Sequence, residues 1–490
     1  MLLLLGILTT LTMSAADSCM WQLSSQPLSN PAMTQWQSPS SESVVGVEYL
    51  HDKNDARPIA AEGSEYSGWH GNANTYIKLH DATVWGNACY TNYTRRGVLY
   101  NETLHPQMVY PYLSADTVGG SLYGECYRFG GGYASLIDKW AWGISADYVA
   151  ETGYRDIDPR PESITGNLHI KAGGAYKIRN YYIGIGGNYE HYTQSLDIDF
   201  KSESGKEKIY QLTGLGSHYK RFSGASENSF YSGNLWSIST DIYPHTGNGF
   251  SSSLSYQSGK ITKSLDDLNN LPLASINISA INLSTAWINK CWGIGFYTAY
   301  SKRSGLENLF GLPVGDNYPL IATMEMYSHR NISARLTGIW QHGTCSSPFY
   351  ISTRFSAAYN DDREEYDNAT RLRSIRKCDI NANIFLSQAF NDKWRISACA
   401  DCTLSIPTSS SLILSGRNDS DRVERELIEA EKHRFDLLGN KYYEWFFMLK
   451  LNRRLTQKLT ASIAANFRQT VYSANDISAS KFGIFVSVIF

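Results

Sequence analysis

The last ten residues, Lys481-Phe-Gly-Ile-Phe-Val-Ser-Val-Ile-Phe490, alternate apolar with mixed positions. A strand repeats every two residues, so Phe482, Ile484, Val486, Val488 and Phe490 share one face. Lys481, Gly483 and Ser487 share the other, with Phe485 and Ile489 interrupting it. One face suits lipid and the other a mixed interior, and a tilted strand of about ten residues crosses a bilayer's hydrocarbon layer. Comparable alternation recurs at about 43–51, 72–80, 83–99, 119–134, 140–150, 165–178, 181–196, 227–242, 249–263, 274–288, 291–303, 319–341, 346–360, 372–389, 394–413, 440–454, 459–472 and 480–490. The pattern predicts an all-β chain, a transmembrane antiparallel β-barrel of about 18 strands, with 16 to 18 as its range.

The connections fall into two kinds. Ile137-Asp138-Lys139, Arg179-Asn180, Asn289-Lys290, Asn391-Asp392-Lys393 and Thr456-Gln457-Lys458 are tight and rich in turn formers. The stretches 151–164, 197–226, 304–318, 361–371 and 414–439 are long and polar. Short turns at one end and long loops at the other are the asymmetry of a membrane barrel. With the tight turns taken as periplasmic, the strand parity requires 207–219 to be loop rather than wall.

The hairpin near the C-terminus shows how the two faces divide. Tyr443, Trp445, Phe447, Leu449 and Leu451 face lipid, continued by Leu459, Ala461, Ile463, Ala465 and Phe467. Glu444, Lys450 and Asn452, with Asn466 and Arg468, turn into the lumen. A Lys or Arg on the lipid face at the midplane costs about 2–4 kcal/mol, so their placement on the polar face is what a barrel requires. Alternation alone also fits a soluble sandwich; the combination with long strands, loop asymmetry and terminal Phe490 favours the barrel.

Composition sharpens this picture. Among 490 residues there are 33 Tyr, 12 Trp and 18 Phe, rings that populate the girdles of membrane barrels. A mean hydropathy of -0.33 agrees with the absence of spanning helices and is compatible with half-apolar strands. The net charge of -2 provides no basic field for nucleic acid. The eight Cys are scattered, and Cys399 and Cys402, at i and i+3 on a strand, point to opposite faces and cannot close on one metal ion.

The chain opens with an apolar run, Met1 to Met13, followed by Ser14-Ala15-Ala16, which predicts a signal peptide over 1–16 despite the missing basic residue. Ala16-Asp17-Ser18 before Cys19 does not resemble a lipobox. Residues 17–42 form a polar, Pro-punctuated periplasmic or lumenal segment, and 43–490 the barrel. Within that segment, Asn30-Pro31-Ala32 resembles the N-terminal hatch of the long-chain fatty-acid transporter family; the resemblance implies a hatch at Asn30, Pro31 and Ala32. The strand ending in Phe490 resembles the terminal insertion signal of bacterial outer-membrane barrels. Tyr154-Arg-Asp-Ile-Asp-Pro-Arg-Pro161, with the barrel pattern around it, resembles a group of uncharacterised outer-membrane barrels from Bacteroidota, which implies a cell outer membrane location in a Gram-negative bacterium but no catalytic residue.

Three polar constellations remain. Arg155, Asp156, Asp158 and Arg160 suggest a solvated loop held by local ion pairs, or alternatively an ionic knot shaping an entrance. Asn360 to Asp367 places five carboxylates in one stretch without the spacing of a calcium loop, and reads as a solvated acidic loop. Asp419 to Phe435 predicts a short external helix capped by Ser420 or Asp421, free either to dock on a partner or to fold over the mouth. The run Gly130-Gly131-Gly132 marks a kink or a close approach. The 11 His are dispersed and join no Gly-x-Ser-x-Gly or His-Glu-x-x-His pattern, so His169 and His191 read as lumen or rim hydrogen bonders. No enzyme, cofactor or metal site is expected. The function expected is a porin-like channel or transporter admitting a small solute. The alternative is a non-conducting structural or interaction barrel that partners a transporter or surface lipoprotein. The other expected partners are outer-membrane lipid and the barrel assembly machinery.

Overall fold

A computed structural model describes residues 20–490 except 39, 203–206, 225–227, 345–346, 368–369, 417–420 and 474–476. The segment 1–16, Cys19, Asp419 and Ser420 therefore lie outside the described residues. Chain order begins with helix α1 (Trp21–Ser24), two 3-10 turns (Pro27–Ser29 and Pro31–Trp36), β1 (Glu42–Asn54), β2 (Glu65–Lys78) and β3 (Ala82–Val98). Then come α2 (Pro106–Val109), β4 (Ser114–Ala115), β5 (Gly120–Ile137), β6 (Trp140–Tyr154), β7 (Arg160–Ile178), β8 (Tyr181–Asp199), β9 (Tyr210–Gly214) and β10 (Ser217–His218). They are followed by β11 (Ser229–Pro244), β12 (Gly249–Leu265), β13 (Leu271–Ile288), β14 (Trp292–Phe310), β15 (Leu320–His342), β16 (Phe349–Tyr366), β17 (Arg371–Ala389) and β18 (Trp394–Leu414). Helix α3 (Arg422–Leu438), β19 (Tyr442–Arg454), β20 (Thr460–Tyr472) and β21 (Ile477–Ile489) complete the chain.

Eighteen of these strands pair antiparallel with their sequence neighbours, and β1 pairs with β21 to close the sheet. The closing pair extends beyond the last strand: Ser43 N–H donates to the Phe490 carbonyl at 2.7 Å, and Phe490 N–H returns a bond to Ser43 at 2.9 Å. The result is a closed transmembrane antiparallel barrel with no unpaired edge, which a bilayer demands of any sheet that crosses it. Strands β4, β9 and β10 form a separate three-stranded sheet, so 207–219 adds nothing to the wall.

The exterior is apolar and aromatic. Trp140 is 62% exposed and Phe355 65%, far beyond what a water-facing sheet tolerates as a continuous surface. Trp140, Trp142, Trp287, Trp292 and Trp340 stand exposed beside the tight turns. Tyr90, Tyr127, Tyr148, Tyr189, Trp236, Tyr256, Tyr300 and Tyr359 form a second exposed ring toward the long-loop end. Tyr189 stands about eight residues from its turn, roughly 27 Å along a strand and about 20 Å in height for a tilt near 40°. That spacing fits an apolar band about 25 Å tall between two girdles.

Several predicted boundaries move. The wall strands rise above the apolar band, so 151–164, 304–318 and 361–371 are not long loops: β6 reaches Tyr154, β7 starts at Arg160, β14 reaches Phe310 and β16 reaches Tyr366. Asn360 to Tyr366 is strand, not an acidic loop. Cross-strand partners make this possible: Asp362 lies 2.8 Å from His329 Nε2, and Glu364 is bonded to Arg373. Cys399 lies on the inner face, its Sγ 3.2 Å from Asn383 Nδ2, while Cys402 is exposed outside.

Candidate functional site

At the tight-turn end the N-terminal segment lies inside the barrel, against walls from β16 round to β2. Arg354 donates to Gln22 Oε1 at 2.6 Å. Met20 and Leu23 pack with Ala286, Ile288 and Ile339. Leu28, Ala32 and Met33 pack with Ala141, Ala175, Tyr182 and Tyr243, with Trp36 beside them. Tyr76 Oη donates to the Gln35 carbonyl at 2.9 Å.

Asn30, Pro31 and Ala32 are buried and sit on bare backbone. Asn30 Oδ1 accepts from Ala32 N–H at 3.0 Å, capping the second 3-10 turn, and Pro31 follows with its φ preset. Asn30 Nδ2 donates to Asp241 Oδ2 at 3.0 Å, and Asp241 also accepts from Ser239 at 2.8 Å and Ser253 at 2.7 Å. The wall beneath is glycine because nothing larger fits. A Cβ at Gly173 would lie 1.9 Å from Asn30 Oδ1, and one at Gly143 would lie 2.5 Å from the Pro31 carbonyl carbon. Gly184 and Gly186 face Met33 and Asn30 in the same way. This cradle escaped the sequence reading, although the alternation Ile183-Gly184-Ile185-Gly186 carries it. The more conspicuous Gly130-Gly131-Gly132 instead makes room for Asp147 and the Trp85 ring.

The long-loop end is filled independently. Val109 and Leu113 pack with Tyr192, Tyr231, Leu235 and Ile261 of the wall, and Tyr112 packs with Ala274 and Ile276. Lys263 Nζ and Tyr231 Oη both donate to the Tyr112 carbonyl, at 3.1 and 3.0 Å. Helix α3 turns inward rather than outward. Asp421 caps it, accepting from Val423 and Glu424 N–H, and Val423, Leu427, Ile428 and Leu437 are buried. Glu424 pairs with Arg371; Arg373 joins Glu364 and Glu431, with the Glu431 contact at 2.9 Å. His433 Nε2 lies 2.6 Å from the Ala56 carbonyl.

Arg155 belongs to this closure and is not solvated: it is 4% exposed. Its guanidinium donates to Glu102 at 3.0 Å, to Asp116, and to the Pro159 carbonyl at 2.7 Å. Burial, reinforced by the adjoining Asp116 carboxylate, pushes Glu102 well above the usual carboxylate range. Asp116 is held below its ordinary value despite burial, by the Glu102 hydrogen bond and Arg155. When Glu102 holds a proton, the two acids share one cation without repelling each other.

Glu444, Lys450, Asn452, Asn466 and Arg468 alternate onto the inner face. Arg468 lies 3.5 Å from Glu444, while Lys450 and Asn466 are buried within the wall. They stand on β19 and β20, away from the Asn30 cradle. His169 faces the lumen, 3.8 Å from Glu190, whereas His191 bonds Asn234 on the outer wall at 2.8 Å.

A transmembrane barrel with its own segments packed inside it at both ends is the class of protein these contacts define. Residues 31–490 match the Family of unknown function (DUF6850), and the chain belongs to that family. No curated protein sequence matches it. Among solved structures, a mutant ferric enterobactin receptor from Pseudomonas aeruginosa is similar at 6% identity, covering 92% of this chain and 81% of that one, with a TM-score of 0.42. The ferric preacinetobactin receptor from Acinetobacter baumannii is similar at 8% identity, with 92% and 80% coverage and a TM-score of 0.43. The ferric yersiniabactin uptake receptor from Yersinia pestis is similar at 10% identity, with 92% and 81% coverage and a TM-score of 0.40. Likenesses this distant add nothing to what the strand order and contacts already define.

Proposed function

We propose that this chain is an outer-membrane transporter of a Gram-negative bacterium, admitting a small solute through a lumen gated at both ends. The tight turns face the periplasm, and residues 17–42 act there as a hatch. The observation that carries the reading is the docking of Asn30 on Asp241 over bare glycine. A segment whose Asn30 docks in a backbone cradle, with Arg354 and Tyr76 bonding it on either side, forms a discrete closure, distinct from the wall, inside a barrel of a size that otherwise holds a channel or a plugged lumen. The long-loop closure adds a second gate, so removal of the hatch by itself leaves the mouth shut.

Planar-bilayer conductance tests the reading with four forms: intact chain, 17–42 deleted, helix 421–438 replaced by a short linker, and both changes together. The double form is expected to conduct strongly and each single form weakly. Silence of the folded double form, with a stoichiometric partner lost when 421–438 is replaced, would instead establish the non-conducting interaction barrel.

A further inference from the structure

The outer wall above the long-loop girdle carries a polar cleft of about 560 Å³ on β11 to β14. It is lined by Lys260, Lys302, Asn234, Asn277, Ser258 and Ser279, with Trp236 at its lower edge. Register shows that these side chains form two adjoining rows. Asn234 pairs with Lys260, Lys260 with Asn277, and Asn277 with Ser304; below them, Trp236 pairs with Ser258, Ser258 with Ser279, and Ser279 with Lys302. All face outward, since the intervening Leu235, Ile261 and Arg303 point inward to the loop closure.

Height places the cleft. Lys302 follows Tyr300, and Lys260 follows Tyr256, toward the long-loop end. Aromatic girdles mark the level of lipid headgroups, so the two lysines lie at or just beyond them. The lower row continues as Lys302, Arg330 and Arg363, three cations directly opposite one another on β14, β15 and β16. Like charges so placed repel. Glu325 lies 3.5 Å from Lys302, Asp361 lies 3.8 Å from Arg330 and 3.4 Å from Arg376, and Glu365 pairs with Arg363. Those three carboxylates balance the row itself, so the excess positive charge lies on Arg376, which shares Asp361, and on Lys260, which has no ion-pair partner among the described residues. The rest of the cleft offers neutral amide and hydroxyl groups.

We propose that this cleft binds the phosphate-bearing headgroup of a membrane lipid, with Lys260 and Lys302 clasping the phosphate and Trp236 resting at the base of the headgroup. Amide and hydroxyl donors around two ammonium groups match a phosphate's several acceptor oxygens. The headgroup also supplies the counter-charge that Lys260 lacks. The proposal rests on insertion in a membrane, and is independent of whether the barrel conducts.

The test is native mass spectrometry of the full chain in detergent, titrated with bis-phosphorylated lipid A, with the same lipid after phosphatase treatment, and with inorganic phosphate. Folding of each form is checked by gel mobility with and without boiling. A surface cation beside an anionic headgroup contributes enough that losing two corresponds to roughly a thirtyfold weakening. The Lys260→Gln/Lys302→Gln form is expected to bind lipid A about thirtyfold more weakly, while Lys302→Arg retains it. Equal binding by wild type and the double Gln form, or equal binding of the dephosphorylated lipid, would overturn the proposal. Displacement of lipid A by equimolar inorganic phosphate would also overturn it, leaving a small-anion site. Absence of a heat-dependent mobility shift in the wild type would refute membrane insertion itself, a distinct failure.

Discussion

Asn30 and Asp241, 211 positions apart in the chain, meet through a 3.0 Å hydrogen bond inside the barrel. Removing the amide leaves a buried carboxylate with only Ser239 and Ser253 as donors. A hydrogen bond to a charged group contributes about 1.5–3 kcal/mol, so Asn30→Ala should release the 27–37 segment from the wall. Cysteine-labelling rates at an introduced Ala32→Cys should rise at least tenfold in the Asn30→Ala background. Gly173→Ala should act likewise, because its new methyl meets the Asn30 oxygen. Unchanged labelling in both would show that the apolar contacts of Leu28 and Met33 hold the segment unaided.

The second closure hangs on the pairs of Arg371 with Glu424 and Arg373 with Glu431. Arg371→Ala leaves the buried Glu424 with only the exposed Lys220, 3.4 Å away, as counter-charge, a loss toward the lower end of the about 3–5 kcal/mol for breaking such pairs. Hydrogen exchange across 422–438 should accelerate by two to three decades while the wall strands keep their protection. Equal acceleration throughout would indicate global unfolding instead.

Protonation of Glu102 gives the mouth a pH dependence. Its folded-state pKa is raised, so the stability it lends is complete below the unfolded value near 4.3 and is lost as pH rises through the folded value. Asp116 is depressed and works oppositely, losing its contribution as pH falls below the normal carboxylate range. Protection of amides 99–119, corrected for intrinsic exchange, should decline toward alkaline pH. Glu102→Gln, which keeps a donor without an ionisable proton, should flatten the alkaline decline. A wild-type profile that is flat up to pH 9 would contradict the shared proton.

Deleting Phe490 should lower the yield of folded barrel several-fold, because its backbone completes the ladder with Ser43 where β21 meets β1. An unpaired strand end in lipid has no water to satisfy it. Heat-modifiable mobility in membrane fractions measures this, and wild-type levels of folded protein would count against it.

All eighteen wall strands were legible from the chain as written, because the period of two is a local property that each strand must show by itself to face lipid and lumen at once. The inward set Glu444, Lys450, Asn452, Asn466 and Arg468 follows from the same period. What tertiary structure decided lies off that period. The polar alternation of 360–366 is identical whether it belongs to a loop or to a strand rising above the bilayer; only the partners His329 and Arg373 distinguish them. The burial of Arg155 needed Glu102 and Asp116, which no spacing connects to it. Helix 422–438 carried an apolar stripe that fitted a partner or the mouth equally well, and Arg371 and Arg373 settled its direction. Periodicity reports which way a side chain points, whereas an interior filled from both ends depends on contacts between residues distant in sequence, and those exist only once the barrel has closed.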